Sequence, residues 1–144
     1  MSQVNADTIR KSDGSLGTDI RVKNTSVYES DGGTSVTQNL VQGLTKVWAN
    51  LKGTDTFGLR DSFNVTTATD NGTGNYTITI NNDMGNNDYS VTGSQGGNTS
   101  NDEVRIPENA TDFATGSYIV NTLKTGVALN DSVHVCTQVA GDLA

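Results

Sequence analysis

An all-β fold, an antiparallel β-sandwich of jelly-roll-like character carrying an extended N-terminal arm, is the class this 144-residue sequence predicts. Three observations lead there. Residues 61 to 80, DSFNVTTATDNGTGNYTITI, hold two alternating runs around a glycine-rich turn. The closing segments Tyr118 to Leu123 and Ser132 to Val139 alternate in the same way, which is the period of a half-buried strand. Hydrophobic residues make up only 33% of the chain. Counted with its 16 glycines and without its 4 tyrosines the apolar share is about 41%, below the usual value of about 45–50%. The core must therefore be thin, as in a small sandwich under a Gly-, Asn- and Thr-rich surface.

The first 44 residues read as an arm and 45–144 as the folded domain. The arm is polar and punctuated by Asp13-Gly14 and Asp31-Gly32-Gly33 turns, with short extended pieces such as Asp19 to Lys23 between them. Such pieces cannot form a core alone. Their composition fits a disordered tail and equally an arm that gains order along a neighbouring subunit, with Ile9, Ile20, Val22 and Tyr28 as the side chains that bind. Leu40, Val41, Leu44, Val47, Trp48 and Leu51 follow. Their spacing also fits one face of a helix, but Gly43 interrupts it and Lys46 to Leu51 alternates. The expectation is a short helical turn near Gln38 to Leu44, then a strand. Leu40, Val41, Leu44 and Trp48 join the arm residues as the oligomer-interface and anchoring set. Trp48 is read as a core or interface residue in preference to a sugar platform, because a thin core uses its large aromatics for burial.

In the 61–80 segment Asn71-Gly72 is expected to form a type I′ turn, since both central positions of that turn need positive φ. Tyr76, Ile78 and Ile80 should then face the core and Thr77 and Thr79 the solvent. Tyr89 and Val91 predict a further strand. Residues 94 to 116, with the only proline, Pro107, predict a long irregular passage. In the last strand Val133, Val135 and Val139 share one face and His134 and Cys136 the other.

Candidate chemistry is sparse. His134 and Cys136 have the chemistry of metal ligands, but a zinc site needs three or four and the chain has one His and one Cys. Two residues apart on a strand, they stand roughly 7 Å apart at the backbone, too far for a catalytic pair. No Gly-x-Ser-x-Gly elbow is present. Gly72-Thr73-Gly74 lacks the third glycine of a phosphate loop, and Asn81 to Asp88 lacks the terminal bidentate acid of a calcium loop. The expectation is a protein without catalytic residues, metal or cofactor. A net charge of −7 opposes nucleic-acid binding, which needs a basic stripe. No apolar run approaches membrane-spanning length and the N-terminus has no signal-peptide core, so the chain is expected to be made in a cytoplasm without membrane insertion. One cysteine allows no internal disulfide.

The stretch KVWANLKGTDTFGLRDSFNVTTATDNGTGNYTITI, Lys46 to Ile80, with NNDMGNNDYSVTGS after it and the closing SVHVCTQVAGD, resembles a β-rich module of tailed-bacteriophage virion proteins, notably of marine and cyanobacterial phages, found at the C-terminal end of tail-fibre and other virion-surface proteins. The resemblance is carried by Trp48, Gly53-Thr54, Arg60, Ser62 to Val65 and Thr69 to Gly74, and covers about two thirds of the chain; residues 95–115 lie outside it. It implies a non-enzymatic virion-surface protein, a tail-fibre or spike subunit or a capsid decoration or head fibre. Its partners would be copies of itself, with a trimer preferred, other capsid or tail proteins, and a host surface glycan as a further ligand. A second reading of different class is a carbohydrate-binding, lectin-like module in which Tyr, Trp and Asn-rich loops hold host glycans.

Overall fold

Alternation of apolar and polar residues places the core. In the computed structural model, which describes residues 27–29, 37–39, 41, 43–97, 102–105, 112–124 and 128–144, every long alternating run is a strand. The chain divides into two units, Met1–Val41 and Gln42–Ala144. In the first, β1 (Val27–Glu29) and β2 (Thr37–Asn39) form an antiparallel pair. The helical turn expected from Gln38 is not formed there: Gln38 and Asn39 are in β2, and no described residue is α-helical. Ile9, Ile20, Val22 and Leu40 lie outside the described residues, as does the Tyr28 side chain.

The second unit is an antiparallel sandwich. One sheet has the order β4-β3-β12-β7, from β3 (Val47–Lys52), β4 (Gly58–Phe63), β7 (Ser90–Gly96) and β12 (His134–Ala140). The other runs β5-β6-β10, from β5 (Val65–Gly72), β6 (Asn75–Ile80) and β10 (Ser117–Lys124); β8 (Asp102–Arg105), β9 (Phe113–Ala114) and β11 (Ala128–Leu129) also pair with β10. The segment expected to be irregular from 94 to 116 therefore contains the end of β7 and all of β8 and β9. Short polar strands such as Asp-Glu-Val-Arg carry too little alternation to be read from sequence, and their position comes from pairing with β10.

The facing sides of the sheets form the core. Val47, Ala49 and Leu51 of β3 are at most 2% exposed, Tyr76, Ile78 and Ile80 of β6 at most 3%. Val91, Tyr118, Val120, Val135 and Val139 complete the layer, with Met84 and Tyr89 from the loop before β7. Burial of this kind stabilises by roughly 1.5–3 kcal/mol per large side chain. Rings meet in the same layer: Phe57 stacks on Tyr76 at 5.6 Å between centroids, and Tyr89 meets Phe113 and, edge on, Tyr118.

The β5–β6 turn falls two residues beyond its expected place. Asp70 pairs with Tyr76 and Gly72 with Asn75, so Thr73-Gly74 is the loop and the residue between Asp70 and Gly72 is accommodated as a bulge. Gly72 (φ +123) and Gly74 (φ +63) supply the left-handed conformations. Asn71 instead gives its amide to Asn75 Oδ1 and Thr77 Oγ1, both at 2.8 Å. Asn71-Gly72 has the conformational freedom to reverse the chain. A second glycine two residues on allows the longer pairing, and Asp131 rewards it by accepting from Gly74 N at 2.7 Å.

Candidate functional site

Outward positions of the β4-β3-β12-β7 sheet gather the polar and aromatic residues that the core rejects. The register sets them in two rungs. Phe63, Trp48, Gln138 and Thr92 lie across the four strands in one; Asp61, Asn50, Cys136 and Ser94 lie across them in the next. Directly opposed residues on one face of a sheet have Cβ atoms roughly 4.5–5.5 Å apart, so each rung is a continuous row of side chains. His134 opposite Gly96 begins a third.

Trp48 is the instructive member. Strand parity turns it away from Val47 and Ala49 and onto this outer face, where it is half-buried and opposite Phe63, itself 55% exposed. The core alternative for Trp48 is thus overturned by the register of its own strand. The three tyrosines with described side chains go the other way. Tyr76, Tyr89 and Tyr118 are buried, which removes them from any glycan-holding loop. Burial pushes each of their phenols up to about 12, because the phenolate would lose its hydration.

Thr92, Gly93, Ser94, Cys136, Thr137 and Gln138 line a shallow hollow of about 290 Å³ over β12 and β7, with Trp48 of β3 opposite Gln138. Its cause is side-chain size. Thr92, Ser94 and Cys136 are short, and their neighbours Trp48 and Gln138 are long, so the face dips over β12 and β7. The floor is held from within. Val104 of β8 packs beneath Gly93, where a Cβ would come within 2.9 Å of its Cγ1, and Tyr118 Oη and Thr137 Oγ1 share a buried hydrogen bond of 2.8 Å. At the margin, Asn50 Oδ1 is enclosed and has no hydrogen-bond donor among the described residues. Arg60 donates to the Val133 carbonyl at 2.8 Å, tying β4 to the start of β12.

The two ends of the sandwich are structural. At one, Gln95 bridges the sheets by donating to the Leu123 carbonyl at 2.7 Å and accepting from Ser132 Oγ at 2.8 Å, while Tyr76 Oη donates to Asp131. At the other, Asn64 (φ +57) donates to the carbonyls of Lys46 and Asn82 and accepts from Asn82 N at 2.7 Å, fixing the passage from β4 to β5. Its amide is committed to the fold. In the Asn81 to Asp88 loop Met84 N donates to Thr115 O and Gly85 N to Asp142 O, both loop-closing contacts.

His134 is exposed and Cys136 half-buried on the outer face, as the strand parity required. Of the expected interface set, Leu44 is 65% exposed and Val41 is intermediate. The described residues hold no group of three or more His, Cys, Asp or Glu placed to bind a metal, and no described helix is long and apolar enough to cross a membrane. Sequence reasoning missed Phe63, Gln138, Thr92 and Ser94. Alternation in each strand could have assigned their face, but only the cross-strand register shows that they are neighbours of Trp48. No family model, curated protein or solved structure matches the chain.

Proposed function

We propose that the chain is a non-enzymatic structural protein of a bacteriophage virion, an oligomeric surface appendage, either a tail-fibre or spike subunit or a capsid decoration or head fibre, in which the N-terminal arm anchors and the β domain is displayed. One observation carries this reading. The residues on which the phage-module resemblance rests, Lys46 to Ile80, build β3 to β6 and so supply both layers of the sandwich. The resemblance thus falls on the residues that make the frame of the domain. The thin core and the exposed Leu44 support association of copies, with a trimer preferred, through the arm residues Ile9, Ile20, Val22 and Tyr28 and the segment Leu40 to Leu44.

The test is particle association. Mass spectrometry of purified virions is expected to find the full-length chain in a fixed ratio to the major capsid protein, and a chain lacking residues 1–40 is expected to fold but fail to load. Truncated chain present at full occupancy would remove the anchoring role, and absence of the full-length chain from virions would remove the virion assignment.

A further inference from the structure

We infer that the outer face of the β4-β3-β12-β7 sheet is a binding site for a neutral polysaccharide chain, with Trp48 as the stacking platform and the hollow over β12 and β7 as the seat of one sugar residue. The inference rests on the display role proposed above and assigns the ligand of the displayed domain.

A pyranose ring presents an apolar C–H face and a rim of hydroxyls, so its recognition needs an aromatic plane beside a few well-placed amides and hydroxyls. The two rungs provide that combination. Trp48 offers the ring, Phe63 stands opposite it on β4, and Gln138, Thr92, Ser94 and Asn50 follow across the strands. The donors and acceptors around the hollow are uncharged. A volume of about 290 Å³ sits at the lower end of small-molecule sites, roughly 300–1,000 Å³, which suits one residue of a longer chain passing over an open face. Asn50, opposite Cys136 in the second rung, has an enclosed Oδ1 with no donor among the described residues, an acceptor left unused by the fold.

Charge selects the class of glycan. Asp61 in the second rung and the net charge of −7 repel anionic chains, leaving neutral ones. A second copy of this chain fits the face less well. Of the eight residues in the two rungs only Trp48 and Phe63 are large and apolar, whereas the cores of subunit interfaces are roughly 65% apolar and depleted of charge.

The chain has 1 tryptophan, so its fluorescence reports on this face alone. Full-length protein would be titrated with neutral hexasaccharides built from glucose, mannose or galactose, with dextran sulfate as the anionic comparison, and followed by tryptophan emission and amide NMR shifts. The expected result is saturable binding of at least one neutral hexasaccharide, with shifts centred on Trp48, Thr92, Ser94 and Gln138. Trp48→Ala should weaken it about tenfold or more, Trp48→Phe should restore part of the loss, and Thr67→Ala on the opposite sheet should leave binding unchanged. Circular dichroism would establish that each variant is folded. Three outcomes overturn the site: no hexasaccharide perturbing Trp48 up to about 10 mM, binding that survives Trp48→Ala, or a Trp48→Ala variant that dissociates into monomers, which would give the face to a second copy. Gln138→Ala chain, altered at the hollow and outside the anchoring set, should bind the hexasaccharide more weakly and still load onto virions, so loss of glycan binding and loss of the virion role are separately visible.

Discussion

Tyr118 Oη and Thr137 Oγ1, 2.8 Å apart in the core, join the two sheets by the only polar atoms either side chain carries. Replacing Tyr118 with Phe leaves the Thr137 hydroxyl buried without that partner, at a cost of about 1–3 kcal/mol, to be read as a shift in urea midpoint. The same burial couples stability to alkaline pH. Tyr76, Tyr89 and Tyr118 are raised from 10 to about 12 in the folded state, so between those values the folded chain holds protons that the unfolded chain has released. Their contribution is fully present below about pH 10 and is lost as pH rises toward 12. In a Tyr28→Phe chain, which keeps these three as its only tyrosines, tyrosinate absorbance should rise together with loss of the near-ultraviolet dichroism; tyrosinate forming at pH 10 while that chain is still folded would contradict it. Two glycines separate backbone strain from crowding. Gly72 (φ +123) has open space where a Cβ would stand, while at Gly74 (φ +63) a Cβ would lie 2.5 Å from Thr122 O and 2.6 Å from Asn130 N. Gly72→Val should cost about 1–3 kcal/mol from conformation alone, and Gly74→Ala should cost more than that.

Strands with strong alternation were legible, and those defined by their partners were not. Val47 to Leu51, Tyr76 to Ile80 and Val135 to Val139 announce themselves by side chains that must face a core. β8 and β9 have no such pattern and exist because β10 offers them a free edge. The turn shows a finer limit. Asn71-Gly72 and Thr73-Gly74 are both capable of reversing the chain, and the choice was made by Asp131, 57 residues from Gly74 in sequence. Of the candidate site, Trp48 was visible as the single tryptophan, but its face follows from strand parity and its neighbours follow from register. Asn64 belongs to this scale as well. Its side chain joins the residue before β3, the β4–β5 passage and the segment after β6, so Asn64→Ala should cost roughly 1–3 kcal/mol and increase hydrogen exchange at Asn81 and Asn82, whereas unchanged exchange there would show that the clasp is dispensable.

The division of the chain at Val41 and Gln42 makes the anchoring and display roles proposed above separately testable. The β domain holds its own core cluster, so removing the arm should leave its melting transition in place. Association is expected to depend on the arm and on Leu44, which is 65% exposed; full-length chain should sediment as an oligomer, with a trimer preferred, and a single monomeric boundary across micromolar concentrations would contradict that. The most direct measurement is the copy number of the chain on purified virions, compared between full-length protein and protein lacking residues 1–40, each shown to be folded. A fixed stoichiometric occupancy that falls to background on deletion is the predicted result, and virions that carry no full-length chain, or that carry the truncated chain equally well, would contradict it.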